Sequence, residues 1–416
     1  MQFQLTSDFI ENIAQLIAKK DGNALRELLQ NFHFADIAEL LEELNTDQAT
    51  YLIQQLESDL TSEALMELDD DVREKILERL SPKEIAAELE ELDTDDAADI
   101  IAELDEKIKQ KVIDKIEDQE HAADIVELLN YDENTAGALM AKELVQVKET
   151  WTVAGCVREM RRQAENVTRV HSIYVTNKEG KLTGRLSLKD LLTAEAKTKI
   201  SDVFIPKVDY VTVHTENEEV ARIMQKYDLE AIPVVDDKGI LVGRITIDDI
   251  VDFIKDEAEK DYQMAAGISQ DVEADDSIMD LTKARLPWLV LGLLGGLGSV
   301  YIMRGFDEAL ATHVELFFFT PLIAAMAGNV GVQSSAIIVQ GLANDNVKGS
   351  LFKRLLKEVG LALINGLALG VLVILFGALT QMDQQVAFTI AISMLLVIIV
   401  AALVGTFVPI ILDKKG

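Results

Sequence analysis

The sequence predicts a multidomain protein: an all-α superhelical N-terminal domain, an α/β module built from a tandem repeat, a linking helix, and an α-helical transmembrane bundle of four spans. Three observations carry this. Acidic charge and apolar residues lie in different parts of the chain, one phrase of the middle region occurs twice at a constant offset, and four long charge-poor runs close the sequence. The mean hydropathy of +0.15 does not suit an acidic soluble protein of pI near 4.5 unless the two properties are segregated.

Residues 1–138 repeat an acidic, apolar phrase at helical spacing: ADIAELLEEL from Ala35, ADIIAEL from Ala98 and ADIVELL from Ala123. Apolar residues three and four apart make one stripe of a helix, and short helices bury such stripes by stacking into a superhelix. Their carboxylates then face outward. The start, MQFQLTSDFIENIAQLIAKK, has neither the basic n-region nor the apolar h-region of a signal peptide, so this part is expected in the cytoplasm. Cys156 is the only cysteine, which rules out an intrachain disulfide and fits a reducing compartment.

In the middle region IYVTNKEGKLTGRLSLKDLL, from Ile173, matches IPVVDDKGILVGRITIDDIV, from Ile232, without a gap. Each copy reads strand, turn, strand, then a helix opening at Ser187 or Thr246. An Asp follows three positions on, Asp190 or Asp249, which is the pattern of a capped N-terminus. The repeat divides the module into residues 139–200 and 201–260. A linking helix over 261–285 follows, and residues 286–416 form the membrane part.

Four charge-poor runs, 286–303, 316–344, 359–382 and 386–412, come near or exceed the ~20 residues that cross hydrocarbon. Core helices of soluble proteins are shorter, typically ~10–14 residues. The loop after the second run carries Lys348, Lys353, Arg354 and Lys357, and Lys414 and Lys415 follow the fourth, so both are expected on the cytoplasmic side. From Leu286 onward acidic and basic residues balance, which puts the whole excess of −33 into residues 1–285. Such acidity repels nucleic acid and suits cations or basic partners. Gly292 with Gly296, and Gly366 with Gly370, are four apart, a spacing that lets helix backbones approach closely.

The second run contains GNVGVQSS, with amides near the midpoint of an apolar helix. Asn329 and Gln333 share one face, and Gly328 and Gly331 leave backbone carbonyls accessible there. Mg²⁺ prefers oxygen ligands and gives up its water reluctantly, so amide and carbonyl oxygens suit a pore that passes it hydrated. The alternative is that the amides only bond neighbouring helices. Replacing Ser334 is expected to matter less than replacing Asn329 if its hydroxyl bonds its own helix, and the four runs offer no carboxylate.

After the repeat, IDDIVDFIKDEAEKDYQ places Asp249, Asp252 and Asp256 on one helical face, with Glu257, Glu259 and Asp261 close by. LDTDDAADII adds Asp95 and Asp99, four apart. Like charges at these spacings repel, and divalent ions between two such surfaces turn repulsion into attraction. Solvated acidic faces kept for solubility are the other reading. His33, His121, His171, His214 and His313 are scattered, so a zinc or copper site lacks ligands. No Walker-type phosphate loop and no nucleophile–base constellation is present, which argues against a pump or an enzyme.

The repeat resembles the CBS domain over residues 139–260, and this implies a pair that senses ligands, often adenine nucleotides. In that family the hydroxyl and the Asp of the repeat hold a ribose, here Ser187 with Asp190 and Thr246 with Asp249; helix capping alone is the other reading. The order of parts, with YDENTAGALM at Tyr131, DDIVDFIKDEAEKD at Asp248 and GNxGxQS in the membrane part, resembles the MgtE family of magnesium channels over the whole chain. The resemblance implies a homodimer in the cell membrane, a pore between membrane domains, and a gate closed by cytoplasmic Mg²⁺ on both acidic surfaces. ATP at the CBS pair is the further ligand. Relatives usually have Asn where this chain has Val332, and they carry a fifth membrane helix with an Asp facing the ion. The chain as written is therefore expected to conduct poorly, and a membrane-anchored sensor that conducts nothing is the rival function.

Overall fold

The computed structural model describes residues 5–163, 170, 172–272, 276–343 and 350–413. Of the residues singled out above, His171, Lys348, Lys414 and Lys415 lie outside these. The chain divides into two compact units, Met1–Glu257 and Ala258–Gly416.

The first unit opens with ten short helices: α1 (Ser7–Ala18), α2 (Gly22–Leu29), α3 (Phe34–Glu42), α4 (Thr46–Ile53), α5 (Ser58–Met66), α6 (Asp70–Leu77), α7 (Pro82–Leu89), α8 (Thr94–Glu103), α9 (Glu106–Ile113) and α10 (Gln119–Leu128). Polar residues punctuate them. Asn45 with Gln48, and Ser81 with Glu84, close reciprocal capping boxes, and Pro82 takes the first position of α7 where no backbone donor is needed. Next-but-one helices pack together, α3 on α5, α5 on α7, α7 on α9, α4 on α6 and α8 on α10, which is the expected superhelix. Buried Arg73 in α6 reaches α8 through a fork to Glu103, with Nε to Oε2 at 2.9 Å.

The repeat folds into two small sheets. β1 (Val145–Lys148) runs parallel to β2 (Ile173–Thr176), which pairs antiparallel with β3 (Leu182–Leu186), and β4 (Ile205–Pro206) closes the edge. The second copy repeats this with β5 (Val211–Thr212), β6 (Ala231–Val235) and β7 (Leu241–Thr246). Around the strands lie α11 (Val153–Gln163), α12 (Leu188–Thr193), α13 (Asn217–Tyr227) and α14 (Ile247–Ala265). The two hairpins join at their tips, where Leu182 N donates to the Gly239 carbonyl and Leu241 N to the Gly180 carbonyl.

The junction YDENTAGALM, which precedes β1 in the chain, pairs with the second repeat. Ala136 and Gly137 donate to the carbonyls of Thr215 and Val213, and Ala141 exchanges both backbone bonds with Arg244, so this segment extends the second repeat. One apolar core accordingly runs from Ile13 through Leu128 and Met140 to Ile245 and Ile250, whereas the first repeat has a core of its own around Val147, Ile173 and Leu186.

In the second unit the apolar runs sit inside longer helices: α15 (Ile278–Arg304), α17 (Val314–Ala343), α18 (Leu351–Leu379) and α19 (Gln384–Asp413), with a short α16 (Asp307–Thr312). Each of the four long ones can span a bilayer by length and composition. The linking helix over 261–285 is corrected. α14 ends at Ala265 and α15 begins at Ile278, with Gly267 in the left-handed region (φ +83°) turning the chain between them. Ala362, Gly366 and Gly370 of α18 are buried against α19, where Leu395 and Ala391 meet the two glycines, whereas Gly292 and Gly296 face open space.

Candidate functional site

Acidic residues in a first helical turn favour the positive end of the helix dipole, and α8 starts with two of them, Asp95 and Asp96, behind Asp93. Here that arrangement is pressed into a protein interface. Thr94 Oγ1 donates to Glu143 Oε2 at 2.9 Å and accepts from Lys142 N at 2.9 Å. Arg244 of β7, itself buried, donates from Nη2 to Asp93 Oδ2 at 2.8 Å and from Nε to the Glu143 carbonyl at 2.5 Å. The start of α8 is thus clamped between the 139–143 segment and the second repeat.

Within that clamp Asp93, Asp95 and Glu143 each bring a carboxylate oxygen within 4.8 Å of the others. Asp95 is only 8% exposed, and its Oδ1 is buried with no hydrogen-bond partner. Burial, then the charges of Asp96 and Asp249, hold the Asp95 carboxyl well above the usual range. Asp96 is pushed up to about 8 by burial and then by Asp249. Asp99 remains exposed by area but sits among many protein atoms, and that loss of water, then Glu103, raises it to about 6. Asp249 is raised by burial, although Thr246 opposes this by donating from Oγ1 at 2.6 Å and from N at 2.8 Å. Glu143 is raised by burial and then by Asp93. An all-oxygen set with surplus negative charge fits a hard divalent cation such as Mg²⁺ and no soft metal, and the orphaned Asp95 oxygen offers a ligand atom.

The structure brings Asp95, Asp99 and Asp249 together. Asp252 and Asp256 are exposed further along α14, and the upward shift of Asp252 comes from partial burial and then from Asp256, not from α8. Glu257 is half-buried at the end of the first unit, and Asp261 belongs to the second. Sequence reasoning missed Asp93, Asp96, Glu143 and Arg244. The first two were legible in LDTDDAADII, but Glu143 and Arg244 join the site only through the tertiary fold.

At the proposed ribose positions each hydroxyl is engaged with its own Asp. Ser187 Oγ donates to Asp190 Oδ2 at 2.7 Å and accepts from Asp190 N at 3.0 Å, which caps α12 as expected. At α14 the pattern differs, because Thr246 donates from both N and Oγ1 to Asp249 Oδ2. A hollow of about 410 Å³ lies elsewhere, lined by Asp99, Glu106, Lys109, Tyr131 and Glu133.

In the membrane part Gly328, Asn329 and Gln333 lie on an exposed face of α17, so the amides do share a side. Gly331 does not belong there. A Cβ on Gly405 of α19 would come within 2.5 Å of the Gly331 carbonyl, which shows that this carbonyl is covered by a close helix crossing. At 3.6 residues per turn, Gly331 falls on the other side of the helix from Asn329. The condition set for Ser334 is not met, because its Oγ donates to Glu358 Oε1 of α18 at 2.6 Å. Glu358 therefore puts a carboxylate into a spanning helix, against the expectation of amides, carbonyls and water alone.

Three family models match the chain: the MgtE intracellular N domain over residues 32–134, the CBS domain over 136–197 and 200–256, and the divalent cation transporter over 320–416. The magnesium transporter MgtE of Bacillus subtilis is 34% identical over 288 residues, covering 69% of this chain and 64% of the relative. That of Thermus thermophilus is 36% identical over 293 residues, covering 70% of this chain and 65% of the relative. The chain thus matches less than two thirds of the length of either. Among solved structures, the cytosolic domain of the Mg²⁺ channel MgtE in complex with ATP is 35% identical, with a TM-score of 0.56 over 59% of this chain and 99% of that one.

Proposed function

This chain belongs to the MgtE family, and on that premise we propose that it is a magnesium channel or transporter for divalent cation uptake, closed by Mg²⁺ bound to its own acidic soluble unit. It is a multi-pass membrane protein with a soluble N-terminal part, which this reading places in the cytoplasm. The observation that carries the proposal is the acidic interface at α8. Asp93, Asp95, Asp96, Glu143 and Asp249 crowd together with Arg244 as a permanent cation among them.

The compact arrangement leaves negative charge uncompensated, so a divalent ion binds it better than an arrangement in which α8 stands away from the second repeat. Mg²⁺ then shifts the population towards the compact form. A site filled to ten times its Kd adds about 1.4 kcal/mol to that form. Asp95, Asp99 and Asp249 would hold the ion with Asp93, Asp96 and Glu143, while Asp252, Asp256, Glu257 and Asp261 extend the acidic stripe. Because effector and substrate are the same ion, uptake limits itself.

Asn329, Gln333 and the Gly328 carbonyl form the ion-facing surface in this reading. An exposed amide face is unfavourable against lipid, which supports a homodimer with the pore between two copies. ATP is a further ligand of the CBS pair, at Ser187 with Asp190 and Thr246 with Asp249. The supporting observation is the related cytosolic domain solved with ATP.

The test is Mg²⁺ entry into liposomes holding the purified chain, read with an internal dye. Uptake should fall with Asn329→Ala and should persist at high Mg²⁺ with Asp95→Asn. No uptake by the unaltered chain, alongside a soluble unit that still compacts with Mg²⁺, would instead indicate a sensor that does not conduct.

A further inference from the structure

We infer that Glu358 is the positioning residue that sets the rotation of α17 and so presents Asn329 and Gln333 to the ion. The inference rests on the proposed reading of that face as the ion-facing one. It starts from how α17 is seated. Gly331, Ser334 and Ile338 follow one another at spacings of three and four, and Ser334 and Ile338 are 6% and 3% exposed. At 3.6 residues per turn this side lies roughly opposite Asn329 and Gln333, both of which are exposed.

The crossing with α19 is closest at its glycines: a Cβ on Gly405 would meet the Gly331 carbonyl at 2.5 Å and the Ser334 Cβ at 3.2 Å. Met326 and Val330 of α17 pack beside it against Met394, Ile398 and Ala402 of α19. Apolar contacts of this kind are non-directional, whereas a hydrogen bond to a third helix adds a directional constraint on the rotation. Serine in a helix commonly bonds the carbonyl four residues back, yet Ser334 reaches across to Glu358 at 2.6 Å. At 2.6 Å this hydroxyl-to-carboxylate bond lies at the short end of the usual range, and Ser334 is buried.

Glu358 is itself held in place. It stands one turn before Ala362, Gly366 and Gly370, the small residues by which α18 is buried against α19. The bond thus ties α17 to the α18–α19 pair at one fixed angle. With side chains about 5–6 Å from the helix axis, a turn of 20° would carry the amide ends about 2 Å, the length of one Mg–O bond. A small loss of angular definition therefore matters for an amide that must meet a hydrated ion.

The test uses the full chain in lipid vesicles with Cys156→Ala. Asn329→Cys, Gln333→Cys, the flanking Val330→Cys and Ile338→Cys on the buried side are labelled one at a time with a water-soluble thiol reagent. With Glu358 intact, 329 and 333 should react at least tenfold faster than 330 and 338. Glu358→Ala should reduce that ratio at least threefold, and so should Ser334→Ala, the milder change should Glu358→Ala fail to fold. Glu358→Gln, which keeps an acceptor oxygen, should preserve the ratio. Unchanged ratios with Ser334→Ala, or a Gln variant that behaves like Ala, would overturn the inference. Mg²⁺ uptake measured beside the labelling separates the two ideas: a chain without uptake rejects the transport reading, while the labelling ratios still decide the role of Glu358.

Discussion

Mg²⁺ and protons compete for the same carboxylates at α8, so compaction of the soluble unit should depend steeply on pH. Asp96 is pushed up to about 8, and Asp95 is also raised, both chiefly by burial. A group whose folded pKa lies above its ordinary value favours the compact form while protonated. That contribution is complete below the ordinary carboxylate range near 4 and is lost as pH rises through about 8. Without Mg²⁺ the unit should therefore be compact at pH 5.5 and expanded at pH 8.5. With Mg²⁺ the ion must displace the proton. At pH 6.5 only about one Asp96 side chain in thirty is ionised, against about three in four at pH 8.5, so the apparent Kd should weaken roughly 25-fold for that one proton. The assay is small-angle scattering of residues 1–257 across Mg²⁺ titrations at pH 5.5, 6.5, 7.5 and 8.5, with calorimetry in two buffers to count protons released. Asp96→Asn should flatten the pH dependence by about one proton. Equal affinities at pH 6.5 and 8.5, with no proton release, would refute the reasoning.

Three further outcomes follow from other parts of the molecule. Glu88 is buried between α5 and α7, accepts from Thr61 Oγ1 at 2.6 Å, and is raised to about 7 by burial; its folded pKa lies high, so wild-type stability should fall between pH 5 and 7. Glu88→Gln should remove that slope and add about 2 kcal/mol at pH 8 in urea denaturation of residues 1–257. Arg244→Gln leaves Asp93 and its acidic neighbours without their buried cation, which should cost about 3 kcal/mol in Mg²⁺-free buffer and open the interface to protease, with saturating Mg²⁺ restoring part of the protection. Gly405→Ala should push α19 away from the Gly331 carbonyl and cost about 1–3 kcal/mol, seen as a lower unfolding midpoint of the full chain in detergent.

Much of this protein was legible in the order of its residues, because those properties are periodic and local. Helical stripes such as ADIAELLEEL, the matched repeats at Ile173 and Ile232, the hydroxyl caps at Ser187 and Thr246 and the four apolar runs are set by neighbours a few positions away. The shared face of Asn329 and Gln333 needs only 3.6 residues per turn. Which faces meet depends on packing between distant segments, and there the fold decided. It sent residues 136–141 along the second repeat and thereby carried Arg244 to Asp93, 151 positions apart. It set α8 opposite Asp249 and left Asp252 exposed. It turned Gly331 towards α19 and gave Ser334 a partner on α18. The acidic phrases show that negative charge accumulates on both surfaces. Only the fold selects which carboxylates lose their water, and those are the ones whose repulsion a divalent ion relieves.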